Sequence, residues 1–556
     1  MVSFTSPFFF VFCLTAIFLL RMTSANALVM GALNLVFVAS FIPAPLAALP
    51  LLGFVCFGYC AIRAARRFQV NAVLILLVAG TVFLFAWLKR YAILSFLPAP
   101  NFAYATIGIS YILFRILHLV IDCSDGVLEP PPPLAFLNYV FFFPNFVSGP
   151  IQRYEDFHAQ VSAPLPPVTW LTIHEAFGRL VKGYFFVVVA SSAASWIFDH
   201  AHSSFYAALS RQDGPATIAL FSVSATSYLV FLFTNFAGYM QIVIGVGQLA
   251  GFTLPENFNR PFASKNFLDF WARWHITLSN WFKFYLYNPL LKAMASRWGT
   301  RAVMPYLGVI GLFVTFLVMG MWHGSTVIYV AYGVFLGVGI AINQLWQVWM
   351  TNRLSAPIYH ELRERPWYFQ VSRGVTLGYF SVAITALWIE PEQANRLFSP
   401  FGLTVFATTI VILSALIAIF GTLVDAAFGR MVYDGGGTKD LDPPASGSHM
   451  RYLGAIAGCY VVSGAGLTAL AFYFTPAEHP YSTAHKLFLL VLAAFTAFLI
   501  GALVGAFDKP IAHATSYFGN RREVFLQTWM AFRIFILAGI STIMASAIPE
   551  FIYRAF

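Results

Sequence analysis

The chain has 556 residues, of which 59% are hydrophobic and 10% charged, with a net charge of +10 and a mean hydropathy of +0.75. Soluble globular domains carry about 25% charged residues, and no water-soluble core hides this much apolar surface, so a soluble fold is excluded and an integral membrane protein predicted. Lys and Arg cluster between apolar runs, as Arg63, Arg66 and Arg67, then Lys89 and Arg90, then Arg363, Arg365 and Arg373. That is the pattern of cytoplasmic loops under the positive-inside rule, not of a nucleic-acid surface.

A spanning helix needs about 20 apolar residues. From the N-terminus, such runs lie near 6–20, 27–41, 44–62, 72–88 and 103–121. They continue near 176–198, 216–250, 303–320, 325–347, 373–390, 401–424, 452–475, 484–506 and 527–548. The first has no basic stretch before it and is read as a retained helix, not a cleaved signal. Prolines such as Pro43 and Pro45 predict re-entrant pieces, which survive at membrane depth only inside protein or beside a wet cavity. Long uncharged runs such as 303–321 argue against a β-barrel, whose strands alternate. The predicted fold is all-α and polytopic, with about 12–14 transmembrane or re-entrant helices.

Three stretches break the pattern. Residues 128–133 hold four consecutive prolines, a stiff linker. Residues 141–157 turn abruptly from apolar to polar, with Pro144, Gly149 and Pro150 preventing a continuous helix. Residues 432–449 are rich in Gly, Pro and Asp and read as a flexible solvent loop. The five cysteines are scattered, and no His or Cys cluster with zinc-ligand spacing accompanies them. No internal repeat is evident, which weakens a transporter built from duplicated halves.

Two histidines stand out. With 268–286 taken as one helix, Trp271, Trp274, His275, Leu278, Phe282 and Tyr285 form one apolar-aromatic face, with Arg273, Asn280 and Lys283 away from it. His323 follows the uncharged run 303–321, between Gly320 and Gly324, 48 residues after His275. An ionisable group at membrane depth marks function by default. Each histidine also has a bland reading, as a satisfied core residue. A neutral imidazole in a dry tunnel is the state a general base needs. A non-enzymatic, histidine-lined transporter or channel also fits these residues. There is no Gly-x-Ser-x-Gly elbow, no His-Glu-x-x-His pair, no Walker A loop and no dinucleotide fingerprint outside an apolar span. His118 and Asp122, four apart, form a weak signal.

Several segments together resemble a known family. PENFNRPF (255–262), DFWARWHITLS (269–279), YLYNPL (285–290) and MWHG (321–324) resemble the membrane-bound O-acyltransferases, as do GISY (108–111), FP (143–144), SGPI (148–151) and FAGY (236–239). They occur in family order over roughly residues 100–395 and are most similar to the bacterial branch acting on alginate and teichoic acids. This divides the chain into N-terminal helices (1–100), an acyltransferase core (101–400) and a C-terminal transmembrane extension (401–556).

The resemblance implies a ring of helices around a central tunnel, with a funnel on each face, in the inner (cytoplasmic) membrane. It implies an O-acyltransferase moving acetyl or D-alanyl from a cytoplasmic thioester, acyl-CoA or an acyl-carrier protein, with no bound cofactor or metal. The implied acceptor is a hydroxyl of a cell-envelope polysaccharide or of an extracytoplasmic partner protein; a lipid or protein acceptor is the alternative. His323 matches the family's catalytic histidine, the expected base. His275 matches the second, expected to orient the donor or polarise its carbonyl. Trp271, Trp274 and Trp322 are expected to shape the tunnel, with Arg273, Ser279, Tyr285 and Tyr239 along it. Asn257 and Asn259 are expected to hydrogen-bond the re-entrant backbone. Lys283-Phe284-Tyr285 stands where relatives often have Arg-Asp-Tyr, and Asn235 where many have Asp.

Overall fold

The computed structural model describes residues 7–42, 44–98 and 108–428. The predicted loop at 432–449 and the apolar runs beyond residue 450 lie outside the described residues. No strand forms among the described residues, where one isolated bridge joins Phe258 to Trp274.

The helices are α1 (Pro7–Met22), α2 (Ala27–Ala39), α3 (Leu49–Phe68), α4 (Asn71–Leu88), α5 (Ile109–Ser124), α6 (Pro133–Val140) and α7 (Tyr154–Ser162). Then come α8 (Trp170–Phe185), α9 (Ser191–Arg211), α10 (Gly214–Ala250), α11 (Phe267–Trp271), α12 (Ile276–Phe282) and α13 (Asn288–Trp298). The last six are α14 (Met304–Trp322), α15 (Val327–Leu354), α16 (Ala356–Glu364), α17 (Pro366–Ala383), α18 (Pro391–Leu397) and α19 (Pro400–Phe428). Among the described residues, seven helical segments are long and apolar enough to cross a membrane: Pro45–Phe68, Asn71–Leu88, Thr172–Arg211, Gly214–Ala250, Met304–Trp322, Val327–Leu354 and Pro400–Leu423. The protein is an all-α, polytopic membrane protein.

α10 is the central pillar. Asp213 caps its start by accepting from the Ala216 amide at 3.3 Å, and Gly251 ends it at φ 99°, a left-handed conformation glycine adopts without strain. On one side α10 packs into the core of α1–α6; on the other it meets the aromatic cluster of α11, α12, α14, α15 and α17. α14 and α15 form a tight antiparallel pair, because a Cβ on Gly320 would lie 2.1 Å from the Gly333 Cα. Small residues let membrane helices touch backbone to backbone in this way. α19, the first helix past the predicted core boundary, packs along α17 and against α10.

The helix directions give the molecule a basic face. The start of α14 and the end of α15 share it, with Arg297, Arg301 and Arg353. The α3–α4 turn, beside Arg66 and Arg67, lies there too, because the other end of α4 reaches the α14–α15 turn, where the Ala92 amide donates to the Ser325 carbonyl at 3.0 Å. Arg66 pairs with Glu129 just beyond α5, so α5 also ends on the basic face. Lys89 and Arg90, at the end of α4, lie toward the opposite one.

Candidate active site

The predicted helix over 268–286 is interrupted. Asn266 caps α11 by accepting from the Asp269 amide at 3.0 Å, but α11 ends at Trp271. His275 has φ 45° and ψ 51°, a left-handed conformation uncommon for a residue with a side chain. Asn257, 0% exposed, holds this turn: its Oδ1 accepts from the Thr277 amide at 3.1 Å and the Thr277 hydroxyl at 2.9 Å, and contacts His275 Nδ1 at 3.2 Å. Its backbone carbonyl takes the Ile276 amide at 2.9 Å, and the Asn259 amide donates to the Arg273 carbonyl at 2.9 Å. The segment is thus an interrupted helix stapled to the strip before it. A π-helical turn, Lys283–Tyr287, follows α12. The aromatic face survives the break, with Trp271, Trp274, His275, Leu278 and Phe282 all buried.

His323 caps the end of α14, where the last helical carbonyls lack intrahelical donors. Tyr91 supplies one: its hydroxyl lies 3.1 Å from the Met321 carbonyl oxygen and 3.3 Å from that of Trp322. The His323 ring lies 4.9 Å from that of Trp322 and 5.5 Å from that of Tyr332.

One narrow cavity brings the two histidines together. His275 and His323 both line it, with Trp271, Trp274 and Leu278 from the interrupted segment and Leu232 and Phe236 from α10. Tyr332, Phe380 and Leu387 complete the wall. The hydrogen bonds fix the tautomers. His323 Nδ1 lies 2.7 Å from the Met319 carbonyl oxygen, which only accepts, so Nδ1 carries the proton and Nε2 the lone pair. For His275 the same follows, because the Asn257 atom that takes the Thr277 amide must be oxygen, so Nδ1 donates to it. In the neutral form each imidazole therefore carries its lone pair on Nε2.

The other predicted residues divide. Trp271 and Trp274 are in the wall. Trp322 is not part of the wall, and its ring lies 5.0 Å from that of Phe114 at a tilt of 43°. The indole N–H groups of Trp271 and Trp322 are buried without a hydrogen-bond acceptor among the described residues. Arg273 is drawn away from the cavity into a 2.9 Å pair with Asp269. Ser279 donates to the Trp274 carbonyl at 3.4 Å. The Asn259 contact is made by its backbone, while the residue itself is exposed. Tyr239 is fully buried beside Ser148 and Arg115, outside the cavity wall.

Tyr285 belongs to a second polar cluster, at the basic end of α5, which the weak His118 and Asp122 signal understates. Tyr285 donates to Asp122 Oδ2 at 2.8 Å, and His118 Nδ1 donates to the same oxygen at 3.1 Å. Arg153 lies 3.6 Å from it. The Tyr154 amide donates to His118 Nε2 at 3.3 Å, and the Tyr139 hydroxyl lies 3.0 Å from that nitrogen. Burial alone would raise the Asp122 carboxyl, but the bonds from His118 and Tyr285 and the charge of Arg153 outweigh it and hold it below the ordinary value. Nearby, the guanidinium of Arg115, 1% exposed, donates to the backbone carbonyls of Tyr139, Val140 and Asn145 and so organises the irregular 139–146 segment.

Comparison with known proteins places this region among similar sequences. Residues 109–373 match the model of the membrane-bound O-acyltransferase family. The chain is 32% identical over 260 residues to the teichoic acid D-alanyltransferase of Bacillus subtilis, covering 45% of this chain and 62% of that protein. It is 33% identical over 248 residues to the protein of the same name from Streptococcus thermophilus, covering 43% and 57%. To the "probable alginate O-acetylase AlgI" of Pseudomonas aeruginosa it is 30% identical over 253 residues, covering 45% of each. The chain thus spans between 45% and 62% of the length of these relatives. The matched region holds both cavity histidines: residues 109–373 of this protein are similar to the membrane-bound O-acyltransferase family.

Proposed function

We propose that this protein is a multi-pass O-acyltransferase of the cell (inner) membrane. It moves a short acyl group, acetyl or D-alanyl, from a cytoplasmic thioester to a hydroxyl on the other side. The observation that carries this reading is the shared cavity, in which two imidazoles, each with its lone pair on Nε2 in the neutral form, face an apolar, aromatic wall. The basic face is assigned to the cytoplasm by the positive-inside rule. The donor, acyl-CoA or an acyl-carrier protein, approaches there as a co-substrate. The acceptor, a cell-envelope polysaccharide or an extracytoplasmic partner protein, approaches from the opposite face.

In the reaction, His323 Nε2 takes the proton of the acceptor hydroxyl as its oxygen attacks the thioester carbonyl carbon. The tetrahedral intermediate collapses with loss of the thiolate, which recovers the proton from the imidazolium. The ester leaves on the acceptor and the thiol on the donor. His275, with Nδ1 committed to Asn257, serves as an acceptor and orients the donor through one of the donor's N–H groups. That leaves polarisation of the carbonyl to a donor other than His275. Holding both substrates in one narrow, dry passage supplies proximity and protects the thioester from water.

The test compares cells expressing wild type, His323→Ala and His323→Gln at equal membrane levels. Base-labile esters are released from the envelope and identified by mass. Loss of a general base predicts a fall of about 10²–10⁴-fold in ester formation. The mass of the released acid names the acyl group. Equal release from wild type and both variants would remove His323 as the base.

A further inference from the structure

The α14–α15 pair carries an unbalanced charge at its basic end. No Asp or Glu occurs between Asp269 and Glu361, while Arg297, Arg301 and Arg353 lie in that interval. All three are exposed. Elsewhere Arg66, Arg153, Arg179, Lys265, Arg273 and Arg365 each pair with a carboxylate. No ion pair among the described residues takes Arg297, Arg301 or Arg353. The register of the pair brings two of these cations to one level. A Cβ on Gly320 would meet the Gly333 backbone, and one on Gly337 would meet Phe313. In an antiparallel pair those two contacts carry Met304 to the level of Trp349, and Arg301 close to that of Arg353.

From this level each helix turns an apolar stripe outward. Val303, Tyr306 and Ile310 recur at i, i+3 and i+7 along α14, and Ile342, Leu345 and Trp349 at the same spacing along α15; all six are 37–59% exposed. The opposite sides, with Phe316 and Met319 on α14 and Tyr332, Leu336 and Ile340 on α15, are buried in one core cluster. The two stripes therefore form a single outer surface, with the arginines at its basic edge. Basic residues gathered between helix ends on the cytoplasmic side are how membrane proteins hold anionic headgroups. A guanidinium fork matches a phosphate, an indole settles at headgroup level, and acyl chains cover the apolar surface beyond. An acidic protein would match the arginines alone and leave Trp349 and the stripes uncovered.

We propose that Arg301 and Arg353, with Trp349 beside them, hold the phosphate of one anionic phospholipid of the cytoplasmic leaflet, its chains lying on the outer surface of α14 and α15. The bound lipid braces the basic end of α14, the helix whose other end carries His323. The binding does not depend on the acyl-transfer reading.

Phosphatidylglycerol and phosphatidylethanolamine are titrated separately into the full chain in mild detergent, and bound lipid is counted by native mass spectrometry. The expected result is one phosphatidylglycerol held in preference to phosphatidylethanolamine. Its affinity falls about fivefold in Arg301→Gln or Arg353→Gln and about twenty-fivefold in the double variant, as about 1 kcal/mol per cation gives. These substitutions change exposed side chains only, so the folded protein is retained for the measurement. Arg67→Gln, exposed on the same basic face, is the control and is expected to leave the affinity unchanged. Equal binding of the two lipids, or an equal loss in Arg67→Gln, assigns the effect to the charge of the whole face and overturns the site. Displacement of the lipid by inorganic phosphate overturns it as well, in favour of a free-anion site. Binding of a polyglutamate peptide where phosphatidylglycerol does not bind makes the patch a docking surface for an acidic protein, and the proposal falls.

Discussion

The Tyr91 hydroxyl lies 3.1 Å from the Met321 carbonyl oxygen, joining the end of α4 to the turn that carries His323. The bond spans 230 positions of sequence, and Tyr91 lies outside the residues matched by the family. With the Ala92 amide on the Ser325 carbonyl, it ties both sides of the Trp-His-Gly turn to the N-terminal helices. The first hundred residues are thus more than a membrane anchor: they cap the helix end on which the histidine sits.

Removing that hydroxyl in Tyr91→Phe keeps the ring, which packs 6.0 Å from Phe85, and deletes only the cap. One neutral hydrogen bond is worth about 1 kcal/mol, so turnover is expected to fall about fivefold with KM for the donor nearly unchanged. Steady-state kinetics on protein in nanodiscs separates the two. A change confined to KM would show that the cap does not set the position of His323.

Asn257 is the corresponding support for His275. Asn257→Ala leaves the Thr277 amide and hydroxyl and His275 Nδ1 without their acceptor, in a region where a lost buried partner costs about 1–3 kcal/mol. The expected outcome is a lower melting temperature together with loss of ester formation. Asn257→Asp retains the acceptor oxygen and should recover part of both. Equal behaviour of the two variants would mean that side-chain volume, not the shared oxygen, holds the turn.

These supports explain which parts of the molecule were legible in the sequence. The spans were readable because burial in lipid demands long apolar runs, and α10, α14 and α15 lie where hydropathy places them. His275 and His323 were readable because imidazoles are rare in such surroundings. The break at 272–275 was not: the i, i+3, i+4 pattern of Trp271, Trp274 and Leu278 is the same whether or not the helix is cut. What cuts it is Asn257, 18 residues earlier. The network that takes Tyr285 out of the cavity joins it to Asp122 across 163 positions, and a local pattern carries no trace of that pairing. Polar residues scattered through a chain become a site only when the fold gathers them.

Gly320 sets the contact between α14 and α15. A Cβ there would meet the Gly333 backbone at 2.1 Å, and neither helix has a flexible side-chain end to give way. Gly320→Ala is expected to destabilise by about 1–3 kcal/mol or more, as overpacking does, and to separate the helix ends that orient His323. Thermal unfolding in detergent, read beside the amount inserted in membranes, checks this. A melting temperature equal to wild type would mean that the two helices are not in backbone contact.

Asp122 should give the protein an acid-sensitive element. Its carboxyl is held below the ordinary value, so its ionised form is stabilised in the fold. Linkage fixes the sign: that stability is fully present above the unfolded value, about 3.9, and is lost as pH falls through the lower folded one. Asp122→Asn removes the charge that His118, Tyr285 and Arg153 converge on. The variant is expected to melt lower than wild type at neutral pH, with the gap narrowing as the pH is lowered through the acid range. Unfolding temperatures of both proteins across that range decide it: a gap independent of pH would assign the cost to lost hydrogen-bond geometry and not to the carboxylate charge.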